Sequence, residues 1–420
     1  MGPKAVYIAR RVASQDVSHW LEDHAVMVEA GRISGVLPRG GLPSDISETH
    51  EVHDLGDVSL LPGLVEGHTH MHVSSGPAAQ MEAMSEGTER LIMRSVNAVR
   101  TVLLSGVTTM RDLGSPNNVA FPVRQAVRDG VIPGPRMLLA GAPITTTAGH
   151  CWFFGAEADS TEEVVKAVRP QVKLGADFIK IMSTGGMFTP TSNPRSPQYP
   201  VETLRAAVAE AEQLNVQVAS HCLSAQGVRN CVEAGVHTLI HARWYDADFT
   251  KGLAYDTEVA DLAAEKGIRV DPTTGHQMLG KLAVEAGESD PPNIHWAVSG
   301  RFVPNEEHEA VLRDMRERGV RYVTGLDMGM RHGAFDKSAA NAWSYVELLG
   351  LSPWEAIAVS TIGSAEALRV DRETGSLEPG KSADMMAVRG DPARDITALF
   401  DVADVVYAGR PVRRGGVALV

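Results

Sequence analysis

Cysteine is scarce in this chain: Cys151, Cys222 and Cys231 are the only three in 420 residues. An odd trio cannot make a disulfide framework, so a reducing compartment is expected. Long apolar runs are missing too. No stretch approaches the ~20 residues of a membrane span, and the opening MGPKAVYIARRVASQ lacks the apolar centre of a signal peptide. Val6 stands where myristoylation of Gly2 would call for Ser or Thr. Positive charge is in deficit, with 39 Lys and Arg against 52 Asp and Glu and a formal net charge of -13. That balance excludes nucleic acid and anionic membranes as natural partners. There is no low-complexity segment and no fixed-period repeat. The expectation is a soluble, cytoplasmic protein.

What is present is an alternation of short apolar runs with helical stretches. The runs are LLPGLVEGHTH (60–70), GVTTMRD (106–112), RMLLAGAPI (136–144), FIKIMST (178–184), VQVASHC (216–222), TLIHARW (238–244), IRVDPTT (268–274) and RYVTGLD (321–327). Between them lie stretches such as TEEVVKAVRPQVKLGA (161–176) and VETLRAAVAEAEQLN (201–215), whose apolar positions recur at helical spacing. Eight strands alternating with helices point to an α/β protein, a closed (β/α)₈ TIM barrel. The two ends, rich in short alternating segments and Gly turns, are expected to form a small β-sandwich domain from both termini. The expected division is 1–60 plus 370–420 for that domain and 61–369 for the barrel. Residues 276–303, with Pro291-Pro292, read as an insertion after strand seven that covers the barrel mouth.

Polar residues inside the apolar runs carry the chemistry. His68 and His70 are two apart at a strand end, so both imidazoles face one way and make a chelate for a divalent metal; alone, His-x-His also fits two structural histidines. His72 shares the parity but is expected past the strand end, in a structural role. Lys180 lies in FIKIMST, where a bare ammonium is costly to bury. Burial lowers a lysine's pKa, and a neutral amine there can take up carbon dioxide as a carbamate; the alternative is a lysine paired to a carboxylate. His221 and His241 end strands five and six, and Asp327 ends strand eight. Six ligand-type residues at the strand ends of one barrel, where catalytic groups sit, outweigh six separate structural explanations. Cys222 follows His221, so strand alternation turns it away from them.

These motifs resemble the amidohydrolase superfamily, and within it the imidazolonepropionase-like and Xaa-Pro dipeptidase (prolidase-type) branch. PGLVEGHTH is similar to the family's strand-one motif, GVTTMRDLG to its strand-two segment, GADFIKIMSTGG to its carboxylated-lysine strand and GSLEPGKSADMMAVRGDP to the closing motif of its β-domain. The resemblance spans essentially the whole chain. It implies two divalent metal ions, zinc first among candidates. His68 and His70 would hold the more buried ion with Asp327 close by, His221 and His241 the more exposed one, and N6-carboxylated Lys180 would bridge them. Three positions depart from the family pattern: Glu66 where Asp is common, Ala242 where Gly is usual, and Gly-Leu-Asp where Gly-Thr-Asp is common. None removes a ligand.

The activity so implied is hydrolysis of an amide-type C–N bond in a small-molecule substrate, a dipeptide, N-acyl amino acid, lactam or related amide. Asp327 would serve as the catalytic base and His150, in TTTAGHC, as a hydrogen-bond donor to the carbonyl. Arg243 is a candidate for a substrate carboxylate, an ordinary surface ion pair being the alternative, and Tyr245, Arg331 and His332 are weaker pocket candidates. Other readings are a mononuclear-metal deaminase of a heterocycle, an esterase-type hydrolase on the same centre, and a barrel with a degraded site. The branch resembled also implies a homo-oligomer.

Overall fold

A computed structural model describes residues 4–288 and 305–420. Its centre is a barrel of eight parallel strands, supplied by the eight apolar runs. Strands one to three are Leu64–Thr69, Val107–Asp112 and Arg136–Leu139; strands four to eight are Phe178–Met182, Gln217–Ser224, Thr238–Tyr245, Arg269–Asp271 and Arg321–Tyr322. The two arcs meet at both seams. Asp177 N–H donates to Leu139 O at 2.8 Å between strands three and four. Between strands eight and one, Gly67 N–H donates to Thr324 O at 2.9 Å and Met328 N–H to His68 O at 3.0 Å.

Helices coat the barrel, and their sequences say why. Thr161–Lys173 starts in a reciprocal capping box between Ser160 and Glu163 and lays Val164, Val168 and Gln171 on the strands, spaced along one helical face. Each buried valine contributes roughly 1.5–3 kcal/mol. With helices outside and side chains filling the centre, the strands are wet on neither face. Every residue of Leu64–Thr69 and of Phe178–Met182 is buried, which explains continuous apolar runs in place of alternation. A histidine or lysine in such a strand has no water and must find a partner within the protein.

Both termini enter one mixed, nine-stranded sheet. Lys4–Ala13 pairs antiparallel with Trp20–Glu29 and parallel with Glu51–Asp54 and Val58–Pro62; the last of these pairs antiparallel with Met385–Arg389. Val58–Pro62 continues directly into barrel strand one through Gly63, where any Cβ would lie 2.2 Å from Thr108 Oγ1. Glycine is therefore required for the chain to pass from sheet to barrel. Of the segment 276–303, residues 276–285 belong to the helix Thr274–Glu285; 289–303 lie outside the described residues. Among the described residues, no helix is long and apolar enough to cross a membrane.

Candidate metal centre

His68, His241 and Asp327 converge from strands one, six and eight, each offering one ligand atom, all within 4.8 Å of one another. His68 Nε2 lies 3.0 Å and His70 Nε2 3.6 Å from the same oxygen of Asp327. The His221 ring lies 4.9 Å from that of His241, centroid to centroid. The strand register sets this up: Met182 is level with His221, and Cys222 with His241.

The outer nitrogens of these rings are occupied. His68 Nδ1 donates to the Asp271 carboxylate at 2.7 Å. His70 Nδ1 donates to Gly114 O at 3.1 Å, and His221 Nε2 to Gly185 O at 3.2 Å. His241 Nδ1 meets Thr273 Oγ1 at 3.1 Å, a hydroxyl whose own proton goes to Pro272 O. Carbonyls and carboxylates only accept, so each outer nitrogen carries a proton, and in the neutral ring the inner nitrogen keeps its lone pair. The inner nitrogens of His68 and His70 face one oxygen of Asp327, an arrangement that calls for a cation there, either a proton on His68 or a metal ion. These donor types suit a divalent metal ion, and the ring orientations are set by their outer partners.

The electrostatics divide the rings. Burial holds His221 and His241 well below the usual histidine range and lowers His70 to about 4. Burial also opposes charge on His68, but Asp327 and Asp271 outweigh it and raise that pKa. The Asp327 carboxylate stays well below its usual range, because its neighbours His68, His241 and His70 overcome the burial that would raise it. Burial lowers Lys180 to about 8, against the pull of Asp327 and with help from Arg111. Among the described residues, Lys180 has no ion pair or side-chain hydrogen bond, so the carboxylate-paired alternative finds no partner there.

The backbone is strained here. His241, Ala242 and Trp244 have φ of 69°, 45° and 59°, and Asp327 has 57°. Left-handed conformations cost non-glycine residues on the order of 1–3 kcal/mol each and concentrate at functional sites. The glycine usual after this histidine in the resembled family suits such a φ; here Ala242 carries it.

The other singled-out residues divide. The His150 ring stacks 4.4 Å from that of His221 and lies over Gly186, where a Cβ would come within 2.4 Å of it. Arg243 is half-buried, its Nη1 3.1 Å from His308 Nδ1, while His308 Nε2 donates to Ala242 O. Among the described residues no carboxylate pairs with Arg243. Tyr245 sits 5.3 Å beneath the Arg195 guanidinium. His332 accepts from Arg331 Nε at 3.1 Å and, with Ser75, Pro77, Glu288 and Arg331, lines an open cavity of about 440 Å³. His72 is fully buried, edge-on to Phe154 at 4.5 Å. The Cys222 thiol points to Ile240 O at 3.4 Å.

Two site residues were not singled out in the sequence. Asp271 ends IRVD, the same strand-end signal that marked Asp327, and Gly325 makes room for it: a Cβ there would fall 2.1 Å from the Asp271 carboxylate. His276 donates to Arg331 O at 2.6 Å and feels the charges of Asp327 and Arg243; no local pattern distinguishes it. Glu66 accepts from His68 N–H, Leu326 N–H, Ser338 Oγ and Asn341 Nδ2, fastening strand one to strand eight.

Known proteins resemble this chain over most of its length. The chain is 27% identical to an ochratoxinase of Aspergillus niger over 382 residues, covering 83% of this chain and 74% of that one. It is 25% identical to an imidazolonepropionase of Deinococcus radiodurans, covering 95% and 94%. A solved Xaa-Pro dipeptidase with methionine bound in its active site superposes with a TM-score of 0.85 at 27% identity, covering 98% of this chain and 100% of that one. The amidohydrolase family model matches residues 59–412, from the edge of the mixed sheet through the barrel and back into the sheet. The chain belongs to the amidohydrolase family and is a hydrolase acting on C–N bonds.

Proposed function

We propose that this enzyme is a binuclear metal-dependent hydrolase cleaving an amide-type C–N bond in a small substrate: a dipeptide, an N-acyl amino acid, a lactam or a related amide. The observation that carries the reading is the convergence of His68, His241 and Asp327, with His70 Nε2 3.6 Å from the same carboxylate and the His221 ring 4.9 Å from that of His241, while Lys180 is buried with no ion pair among the described residues. His68, His70 and Asp327 would hold one divalent ion and His221 and His241 a second, with zinc the best match to these donors. A neutral Lys180 amine adds to carbon dioxide and loses a proton, giving an anionic carbamate that would serve as a further ligand for the metal. Bound metal supplies a water acidic enough to be a nucleophile at neutral pH, its pKa brought from 15.7 toward ~7.

The chain's own residues then have definite tasks. Asp327 takes the proton of the attacking water and returns it to the leaving nitrogen. His150 donates to the substrate carbonyl oxygen as negative charge grows there, a contribution of ~3 kcal/mol. Arg243 receives a substrate carboxylate through its guanidinium fork, with Tyr245 beside it and His332 at the mouth. The three cysteines are free and buried, in keeping with a cytoplasmic enzyme, and assembly into a homo-oligomer follows the resembled branch.

The test is chelation and reconstitution. Stripped enzyme should release no amino acid from dipeptides or N-acyl amino acids, and zinc with bicarbonate should restore release. Full activity after stripping, or ammonia release from heterocycles in place of amide cleavage, would overturn the reading.

A further inference from the structure

The walls around the metal centre differ in chemistry. On the side of strands six to eight stand cations and imidazoles: Arg243, His276 and Arg331. On the side of strands one, three and four the wall is aromatic. Phe153 and Phe154 follow strand three and Phe188 follows strand four. Their rings are 4.8 Å (Phe153–Phe154), 6.0 Å (Phe153–Phe188) and 6.0 Å (Phe154–Phe188) apart. Phe154 also lies 5.8 Å from the His70 ring, so the cluster is continuous with the centre. Met330, from the loop after strand eight, closes it.

Two features distinguish this wall from ordinary core. Its rings come from loops at the catalytic end of the barrel, and Phe153 and Phe188 are only half-buried, with Trp152 at 41% exposure edge-on to Phe153 at 5.7 Å. The loop that presents Trp152, Phe153 and Phe154 is held in unfavourable backbone, with φ of 56° at Ala148 and 52° at Cys151. Such geometry persists only where the surroundings over-determine it.

Resting on the amide-hydrolase reading above, we propose that Phe153, Phe154, Phe188 and Met330 form an acyl subsite, and that the substrates are N-acyl amino acids or dipeptides whose acyl half carries an aromatic or large apolar group. The polarity of the two walls orients the substrate. Its carboxylate turns to Arg243, its apolar acyl group to the phenylalanines, and the scissile amide lies over the centre between them. Ring stacking and burial of apolar area supply the preference.

The test compares N-benzoyl and N-acetyl derivatives of glycine, proline and leucine on the zinc- and bicarbonate-loaded enzyme. The benzoyl series should have kcat/KM higher by about tenfold or more. Phe153→Ala and Phe188→Ala should lower benzoyl kcat/KM far more than acetyl kcat/KM and so remove most of that preference, while Phe188→Leu, which keeps apolar volume, should retain most of it. Equal turnover of both series, or an equal loss on both in the variants, would overturn the acyl subsite and leave the amide reading intact. Quenching of Trp152 fluorescence separates the remaining cases. Saturable quenching by N-benzoyl amino acids without cleavage would overturn the amide reading and keep the aromatic subsite. Neither quenching nor cleavage would overturn both.

Discussion

Asp271, at the end of strand seven, accepts a 2.7 Å hydrogen bond from His68 Nδ1 on strand one, two strands away around the barrel. The bond fixes which nitrogen of His68 holds the proton and turns the other toward Asp327. Asp271→Asn would present an N–H to that nitrogen and favour the wrong tautomer. Metal affinity should fall by about 10–100-fold, read by competition with a chromogenic chelator, with the fold unchanged by circular dichroism. Unchanged affinity would make the contact merely structural.

Asp327 sits with both strand-one histidines on one of its oxygens. Asp327→Asn keeps shape and hydrogen bonding but cannot carry a proton. It should lower kcat by about 10²–10⁴-fold while KM changes little and most metal is retained. Substantial turnover in this variant would remove the residue from the proton path.

Lys180 gives a pH dependence with a definite sign. Burial brings its pKa down from 10.5 to about 8, so the unfolded chain holds the proton up to a higher pH than the folded one. The lysine's contribution to apo-protein stability therefore rises with pH between about 8 and 10.5 and is lost below that window. The same neutral amine is what carbon dioxide requires, so reactivation of stripped enzyme by zinc and bicarbonate should be faster at pH 8.5 than at 6.5. Rates independent of pH, in a protein whose metal uptake is otherwise constant, would contradict the carbamate.

Gly325 faces the Asp271 carboxylate at a distance that leaves no room for a methyl group. Gly325→Ala should push strands seven and eight apart, cost about 1–3 kcal/mol of stability and weaken metal binding together with it. Thermal melts with and without zinc would show both losses, and a variant as stable and as tightly loaded as wild type would refute the packing argument.

The barrel was legible because its strands are buried on both faces and so read as continuous apolar runs, and because the helices between them repeat at helical spacing. The six ligand candidates were legible for the same reason: each is a polar residue in an apolar run. Asp271 satisfies that rule equally well, but its role depends on a contact with a histidine 203 residues away. Arg243 and His308 are joined only through packing of the helix Asn305–Glu317 against the barrel. Tyr245 alternates correctly on its strand yet is drawn to Arg195, a residue supplied by the loop after strand four. Which neighbour a side chain finds across the barrel is a property of closure, and local sequence does not encode it.

The most direct test of the central claim is metal content per chain, measured on protein purified without chelator and with bicarbonate present. The binuclear, carbamate-bridged account predicts about two equivalents, falling toward one in Lys180→Ala. A firm single equivalent, unchanged in that variant, would contradict it and favour a mononuclear deaminase.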